Sequence, residues 1–465
     1  MRYNILIILS LLFLSNMEAQ NNNAVFTLEA EIPTQKGNKL YFGQYWNGAT
    51  YALDSTIISD EGKATFSIKK DLDEGQYFLY TNSSFQIDLL IGNNDKQISV
   101  FIDENDLSTK KVTGSNDSKT LWEYLAIIQD IDKFRDMVKN PEPGNSDSIL
   151  SRTEHSLKNL ESKFEAYKNL LFTQNKDTWA SVFIKGLDQA EIPYPNPKTV
   201  EEATKNRDYG KIHFFDNINL SDPRMWRTNY FTSYIDSYME QWVEQIPDTL
   251  AAAASRLVAK TKGNEICFKE MLSKLTNDAI KSVHMGDENI WVRLFEDYIL
   301  NKNLSWIKDS EMTELKSMYE KAKNNLIGSK GFNLNLITVD GDSISTDEIQ
   351  AKYLLLYFYD PDCGYCRTET PKLHDELYKK YKDKGLEILA INVASDEEAW
   401  KELIDTNKLT DWINCSDPDY KSEYWLHYDI SGVPMIYVLD KNKKIIAKKV
   451  DEVNLEKLFK HIIGN

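Results

Sequence analysis

The spacing of apolar residues along the chain changes twice, near residue 115 and again near residue 327. From Ala24 to about Thr113 they alternate or cluster over strand lengths, as in "VFTLEAEI", "KLYFGQYW", "GQYFLYT", "SFQIDLLIG" and "QISVFID". The stretch "STIISDEGKATFSIKK" reads as two strands joined in a hairpin at Asp60-Glu61-Gly62. Strands recurring at such short intervals predict an all-β sandwich over residues 24–114.

From 118 to 326 the period becomes helical. "SKTLWEYLAIIQDIDKFRDMVKN" sets Leu121, Tyr124, Leu125 and Ile128 at helical spacing, and "SLKNLESKFEAYKNLLFTQ" repeats the pattern. Pro193, Pro195 and Pro197 interrupt it. "HFFDNINLSDPRMWRTNYFTSYIDSYMEQWVEQI" resumes it, with Ser221 or Asp222 as an N-cap before Pro223. The many Tyr and Trp residues of this all-α middle domain read as core.

From 327 to 465 strands and helices alternate. "GFNLNLITVDGDSIST" predicts a hairpin turning at Asp340-Gly341. "YLLLYFYD" and "LEILAINVA" are unbroken apolar runs, as expected of strands buried on both faces. A helix from Cys363 to about Lys382 separates them, and "DEEAWKELIDTN", "SEYWLHYDI" and "NLEKLFKHII" predict three more. "DWINCSD" is a short strand, and "PMIYVLDKNKKIIAKKV" a hairpin. This is the signature of a compact α/β domain.

A length of 465 residues agrees with about three domains, and 42% hydrophobic residues suffice for their cores. The net charge of -17 disfavours nucleic acid and anionic membranes as partners. Residues 1–19 read as a signal peptide: Arg2, the apolar run Ile5 to Leu14, then Met17-Glu18-Ala19. The run is too short for a membrane anchor, for which about 20 apolar residues are needed, and no Cys follows it to carry a lipid. The mature chain is expected to begin near Gln20 and to work outside the cytoplasm, where cysteines can stay oxidised.

Only four cysteines occur, and two of them stand together in "DPDCGYCRTETP" (residues 360–371). Such a pair holds a metal, staples a turn or trades electrons. A zinc site needs a second ligand pair, and Cys267 and Cys415 stand alone without a suitably spaced His pair. A bridge across two residues removes little chain entropy, so a purely structural role is weak. Redox exchange is the reading that fits best. The pair follows a buried strand and opens a helix, whose free N–H groups stabilise a thiolate. Cys363 is then the nucleophile, and Cys366, one turn on, resolves the mixed disulfide, closing a Cys363–Cys366 disulfide.

On these residues the last 138 or so positions resemble a thioredoxin-fold domain of the TlpA/ResA type, exported thiol–disulfide oxidoreductases. "CGYC" stands at the family's active site. Pro371 matches the proline that kinks the active-site helix. "ISGVPMIYVLD" matches the loop whose cis-proline lies against the sulfurs. The resemblance makes Pro434 that proline and Val433 the residue whose backbone pairs with substrate, with Gly364 and Tyr365 at the same surface. "GLEILAINVASDEEAW" matches the strand and helix that this family inserts. Upstream, "LDSTIISDEGKATFSI" and "GSNDSKTLWEYL" resemble the β-domain, and "HFFDNINLSDPRMWRT" the helical region, of exported proteins of the Bacteroidetes type.

The resemblance implies that Glu369 moves protons to and from the cysteines, against the plainer reading of a solvated helix-face residue. Tyr357 occupies the place where cytosolic thioredoxins hold a buried acid, which leaves that work to Glu369. Asp362 replaces the usual aromatic residue before the first Cys, and its charge is expected to oppose the Cys363 thiolate. The pair Gly364-Tyr365 is that of a periplasmic disulfide isomerase and pulls the other way. Cys267 and Cys415 read as buried hydrophobes, with a resolving role for Cys415 as the minor alternative. His374 is too far along the helix for catalysis, and His213 and His284 read as ordinary helix-domain residues.

The expectation is a periplasmic reductase of protein disulfides active in cell redox homeostasis. It needs no metal or organic cofactor, and a membrane electron donor or acceptor serves it. The alternatives are a disulfide isomerase or oxidase, or an envelope binding or scaffold protein with a vestigial thioredoxin domain. A peroxidase fits less well, because the cysteine pair stands at the helix start.

Overall fold

The computed structural model describes residues 26–82, 85–141, 147–188, 192–430 and 432–464. The signal-peptide segment, residues 1–19, lies outside them. They form two compact units, one of residues 26–243 with 257–271, the other of 244–256 with 272–464.

The first unit opens with eight strands: β1 (Phe26–Glu31), β2 (Lys39–Trp46), β3 (Ala49–Ile57), β4 (Lys63–Ile68), β5 (Gly75–Thr81), β6 (Gln86–Ile91), β7 (Gln97–Phe101) and β8 (Lys111–Thr113). They make two four-stranded sheets, ordered β4-β1-β7-β8 and β3-β2-β5-β6. Alternation is carried out literally in β4, where Ala64, Phe66 and Ile68 are buried between exposed polar neighbours. Phe42 stacks on Phe26 at a centroid distance of 6.0 Å and packs at a tilt against Phe66 at 5.7 Å.

One expectation is corrected here. The turn at Asp60-Glu61-Gly62 exists, with Ser59 N–H donating to Lys63 O at 2.8 Å. The strands it joins do not pair as a hairpin, because β3 runs along β2 and β4 along β1, in different sheets. The largely exposed β3 suits a sheet edge, whereas the apolar face of β4 can be buried only between the sheets.

The chain leaves the sandwich at Gly114. Its φ of +82° is left-handed, and an added Cβ would sit 1.9 Å from Gln97 O. Ser115 caps the next helix, its Oγ accepting from Ser118 N–H at 3.2 Å and donating to Leu90 O at 2.9 Å. Helices α1 (Asn116–Lys139), α2 (Asp147–Gln174), α3 (Trp179–Leu187), α4 (Val200–His213), α5 (Phe231–Ser237), α6 (Pro247–Lys260), α7 (Glu265–Lys281), α8 (Glu288–Leu294) and α9 (Asp309–Ala322) follow. Asp222 caps a short 3-10 turn at Pro223–Arg227.

In the second unit a seven-stranded sheet is ordered β10-β9-β13-β12-β11-β14-β15. Its strands are β9 (Asn335–Thr338), β10 (Ser343–Ser345), β11 (Tyr353–Tyr359), β12 (Leu386–Asn392), β13 (Ile413–Ser416), β14 (Met435–Asp440) and β15 (Ile445–Lys448). Helices α10 (Gly364–Lys372), α11 (Glu397–Asn407), α12 (Tyr424–His427) and α13 (Glu452–Ile463) complete it. The segment "SEYWLHYDI" is thus helical over four residues only. The central strand β11 is parallel to β12 and antiparallel to β14. Its side chains divide between two cores, Leu355, Tyr357 and Tyr359 on one face and Leu354, Leu356 and Phe358 on the other.

The residues from 272 to 325 pack with this sheet. Lys448 of β15 buries its ammonium against Asn325, donating to its carbonyl at 2.6 Å and its Oδ1 at 2.7 Å, and pairs with Glu288. A boundary drawn at 326 from the change in apolar spacing therefore falls inside a packed unit. Among the described residues no helix is long and apolar enough to cross a membrane.

The junction at residue 114 yields a stability prediction. Gly114→Ala should destabilise the first unit by about 2–4 kcal/mol, read as a lower urea midpoint, through the forbidden φ and the clash with Gln97.

Candidate functional site

The site begins with the end of β11. Apolar side chains hold the strand as far as Tyr359, and "DPDC" then turns the chain through an Asx-type bond, Asp362 N–H to Asp360 Oδ1 at 2.8 Å. Cys363 N–H donates to Asp360 O at 3.1 Å, and Cys363 is itself the N-cap of α10. Its Sγ accepts the N–H of Cys366 at 3.3 Å, in the place a Ser oxygen usually takes. It also lies 3.6 Å from the Val433 carbonyl, to which the thiol donates.

The two sulfurs differ sharply. Cys366 is fully buried and Cys363 is partly exposed; both are free thiols in this structure. Burial pushes the Cys366 thiol up to about 12. Burial raises Cys363 too, but hydrogen bonds from the Cys366 side chain and from the N–H groups of Cys366 and Tyr365 outweigh it, and its thiol lies below the ordinary range. The surface sulfur is biased toward its thiolate, and the buried one behind it toward its protonated thiol.

The expected effect of Asp362 is corrected. Its carboxylate is exposed and paired with Arg367 at 3.0 Å, so its charge is offset. The acid whose charge raises both cysteines is Asp360, which the sequence reading passed over. The signal was in the motif, an acid three positions before the cysteine, but only the fold shows which of two aspartates faces the sulfurs.

The other expected residues gather around the pair. The Val433–Pro434 peptide is cis. Pro371 lies inside α10, and the helix continues as a wider π-type turn over Leu373–Tyr378. An added Cβ at Gly364 would meet nothing within 4 Å, so this side of the dithiol is open. Tyr365 is 62% exposed beside it. Tyr365, Glu369 and Pro434 line a cavity of about 250 Å³, together with Tyr357, Leu373, Met435, Ile436 and the segment Lys449-Val450-Asp451. Glu369 pairs with Lys372 at 3.0 Å on the rim of the helix. The contributions of Met435 and of residues 449–451 were not legible in the sequence, because they arrive from β14 and from the end of β15.

The remaining candidates are kept apart. Cys415 is buried in the core on the opposite face of the sheet from Cys366, which removes it as a resolving thiol. Cys267 is buried in the first unit. His374 is buried between two carboxylates, Asp375 at 3.0 Å and Asp411 at 2.9 Å, a clamp behind the helix. His213 bonds Asp216 at 2.6 Å and stacks on Tyr209. The His284 N–H donates to Ser282 Oγ at 3.0 Å. Among the described residues no three His, Cys, Asp or Glu side chains gather as a metal-ligand set.

Residues 350–445 match a family model described as thioredoxin-like, and residues 26–121 match DUF4369, a domain of unknown function. The chain is similar to the thiol-disulfide oxidoreductase ResA of Bacillus cereus, 28% identical over 132 residues that cover 28% of this chain and 74% of that protein. It is 38% identical to a solved domain of a possible thiol-disulfide isomerase from Cytophaga hutchinsonii, covering 29% of this chain and 92% of that one, with a TM-score of 0.28. It is 30% identical to the solved thioredoxin domain of a Bacteroides vulgatus thiol-disulfide oxidoreductase, covering 30% and 97%, with a TM-score of 0.28. The C-terminal region of this chain belongs to the thioredoxin-like, ResA-type thiol–disulfide oxidoreductases, and it follows an N-terminal DUF4369 domain.

Proposed function

We propose that the chain is exported to the periplasm and there reduces protein disulfides with the Cys363–Cys366 dithiol. The observation that carries the reading is the asymmetry of the two sulfurs, a surface thiol held low and a buried thiol held high. The Cys363 thiolate attacks one sulfur of a substrate disulfide, and the other leaves as a thiolate and takes up a proton. Cys366 then loses its proton and attacks Cys363 Sγ. The Cys363–Cys366 bond forms, and the second substrate sulfur leaves. Val433 and Pro434 hold the substrate chain across the pair, Gly364 leaves the approach open, and Tyr365 offers its ring to the substrate. Glu369 takes and returns protons at the cavity.

The exchange needs no metal or organic cofactor, because sulfur carries both the bond and the electrons. Two electrons must return to the dithiol after each cycle, which calls for a donor at the membrane. The reductive direction is supported by Asp360, whose charge opposes both thiolates and so disfavours the reduced state. Export is supported by Arg2 and the apolar run from Ile5 to Leu14.

Alkylation of reduced Cys363 should accelerate with rising pH through a value below the ordinary thiol range of about 8.5, since the thiolate is the form present above that value. Cys366→Ser should trap substrate as a stable mixed disulfide visible by mass spectrometry, and Cys363→Ser should trap none.

The reduction potential, from equilibration with thiol–disulfide buffers, should lie near about -270 mV. Asp360→Asn should make it more oxidising by on the order of 30 mV, as the thiolates lose a like charge. A wild-type value of about -180 to -120 mV would turn the reading to isomerase or oxidase, and the absence of any reversible couple to a scaffold.

Glu369→Gln should slow turnover of a protein disulfide about tenfold at neutral pH or more. Unchanged turnover with an unchanged cysteine titration would remove Glu369 from the mechanism.

A further inference from the structure

Two buried hydroxyls stand behind the dithiol, and the exchange described above leaves them unused. Cys366 and Thr370 are the buried residues of α10, one turn apart on the face toward the sheet. Thr370 Oγ1 lies 2.9 Å from the Tyr357 hydroxyl, and either oxygen can donate. Tyr357 extends from the central strand into the core cluster that holds Cys366, where its ring stacks on Tyr359 at 5.2 Å between centroids. Both hydroxyl-bearing residues are almost wholly buried, yet Tyr357 also forms part of the wall of the cavity that Glu369 lines. Thr370 therefore sits one turn beyond the buried thiol on the same helix face, and Tyr357, bonded to it, belongs to the wall of the cavity.

We infer that Thr370 and Tyr357 form an inner proton relay between Cys366 and Glu369. The inference rests on the dithiol reading above and deepens it. Cys366 has no surface through which to give its proton to water, while Glu369 stands at the rim, paired with Lys372. A hydroxyl donates and accepts at once, so a proton enters one oxygen as another leaves it. In resolution the Cys366 proton passes to Thr370 Oγ1, the Thr370 hydrogen passes to Tyr357, and the Tyr357 hydrogen passes to the Glu369 carboxylate. The freed electron pair on Cys366 forms the bond to Cys363 Sγ, as the bond from Cys363 to the substrate sulfur breaks. The departing thiolate recovers the proton from Glu369. Burial keeps the Tyr357 phenol well above its usual range, so the relay is neutral at rest. Thr370 and Tyr357 are positioning residues in this scheme, since they act through Cys366 and Glu369.

Single-turnover resolution in the full mature chain tests it. An aromatic disulfide with a coloured thiolate is attacked by Cys363, leaving a mixed disulfide, and attack by Cys366 then releases the second coloured thiolate. Tyr357→Phe keeps the ring and removes the oxygen. It should slow the second release by about tenfold to a hundredfold at neutral pH and move its pH profile to the alkaline side, while the first attack keeps its wild-type rate. Thr370→Val should do the same, and Thr370→Ser should restore the release. A wild-type pH profile for the second release in both Tyr357→Phe and Thr370→Val overturns the relay, even where the variants lose stability. Should Tyr357→Phe fail to fold, the Thr370 pair of variants decides. A wild-type chain that makes no second release at any pH would instead fail the dithiol reading, and the relay with it.

Discussion

The antiparallel register of β11 against β14 is the constraint from which the site follows. Phe358 lies opposite Met435, so the strand that ends in the dithiol turn lies beside the strand that begins with the cis-proline. Two segments some 70 positions apart meet at one end of the sheet, and the Cys363 thiol reaches the Val433 carbonyl. A slip of one residue would turn Leu355, Tyr357 and Tyr359 to the other face and separate the sulfurs from the proline. What prevents it is burial on both sides, since each face of β11 fills a different core. Each of these side chains contributes about 1.5–3 kcal/mol by leaving water.

That register also sets the electrostatics. The chain must leave a fully buried strand and enter a helix within four residues, and it does so with Asp360 as the pivot of the turn. The pivot's charge then acts on both sulfurs, while Asp362, adjacent in sequence to Cys363, turns outward to Arg367. The Cys366 side chain and then the helix N–H groups pull the Cys363 thiol down, as burial pushes Cys366 up. The same peptide geometry therefore supplies a thiol held low, a buried thiol held high and the acid whose charge opposes both thiolates.

The other side of the cavity depends on a buried charge. Lys448 is fixed by Asn325 and Glu288, and the next three residues, Lys449, Val450 and Asp451, form the cavity wall. Asp451 also caps α13, accepting from Asn454 N–H at 2.8 Å. Removing one partner of such a buried pair leaves an uncompensated charge, so the arrangement holds these groups in one geometry more surely than it adds stability. Residues from the helical stretch thereby take part in shaping the neighbourhood of the dithiol.

Local pattern in the sequence carried much of this protein. The two changes in apolar period marked the β, helical and α/β stretches, because side-chain burial follows the backbone period. The pair Cys363 and Cys366, the helix they open, Pro371 and the loop at Pro434 were all legible, since each is written within a few residues. The partners of β3 and β4 were not, because a turn specifies its own bend and not the sheet that receives each strand. Nor was the choice between Asp360 and Asp362, which depends on where a carboxylate points after folding. The Thr370–Tyr357 contact, the Lys448 anchor and the placing of Cys415 across the sheet are set by residues tens of positions apart or more, brought together by burial. Chemistry written in consecutive residues was determined by the sequence alone, and the field around it was decided only when the tertiary structure removed water from between distant side chains.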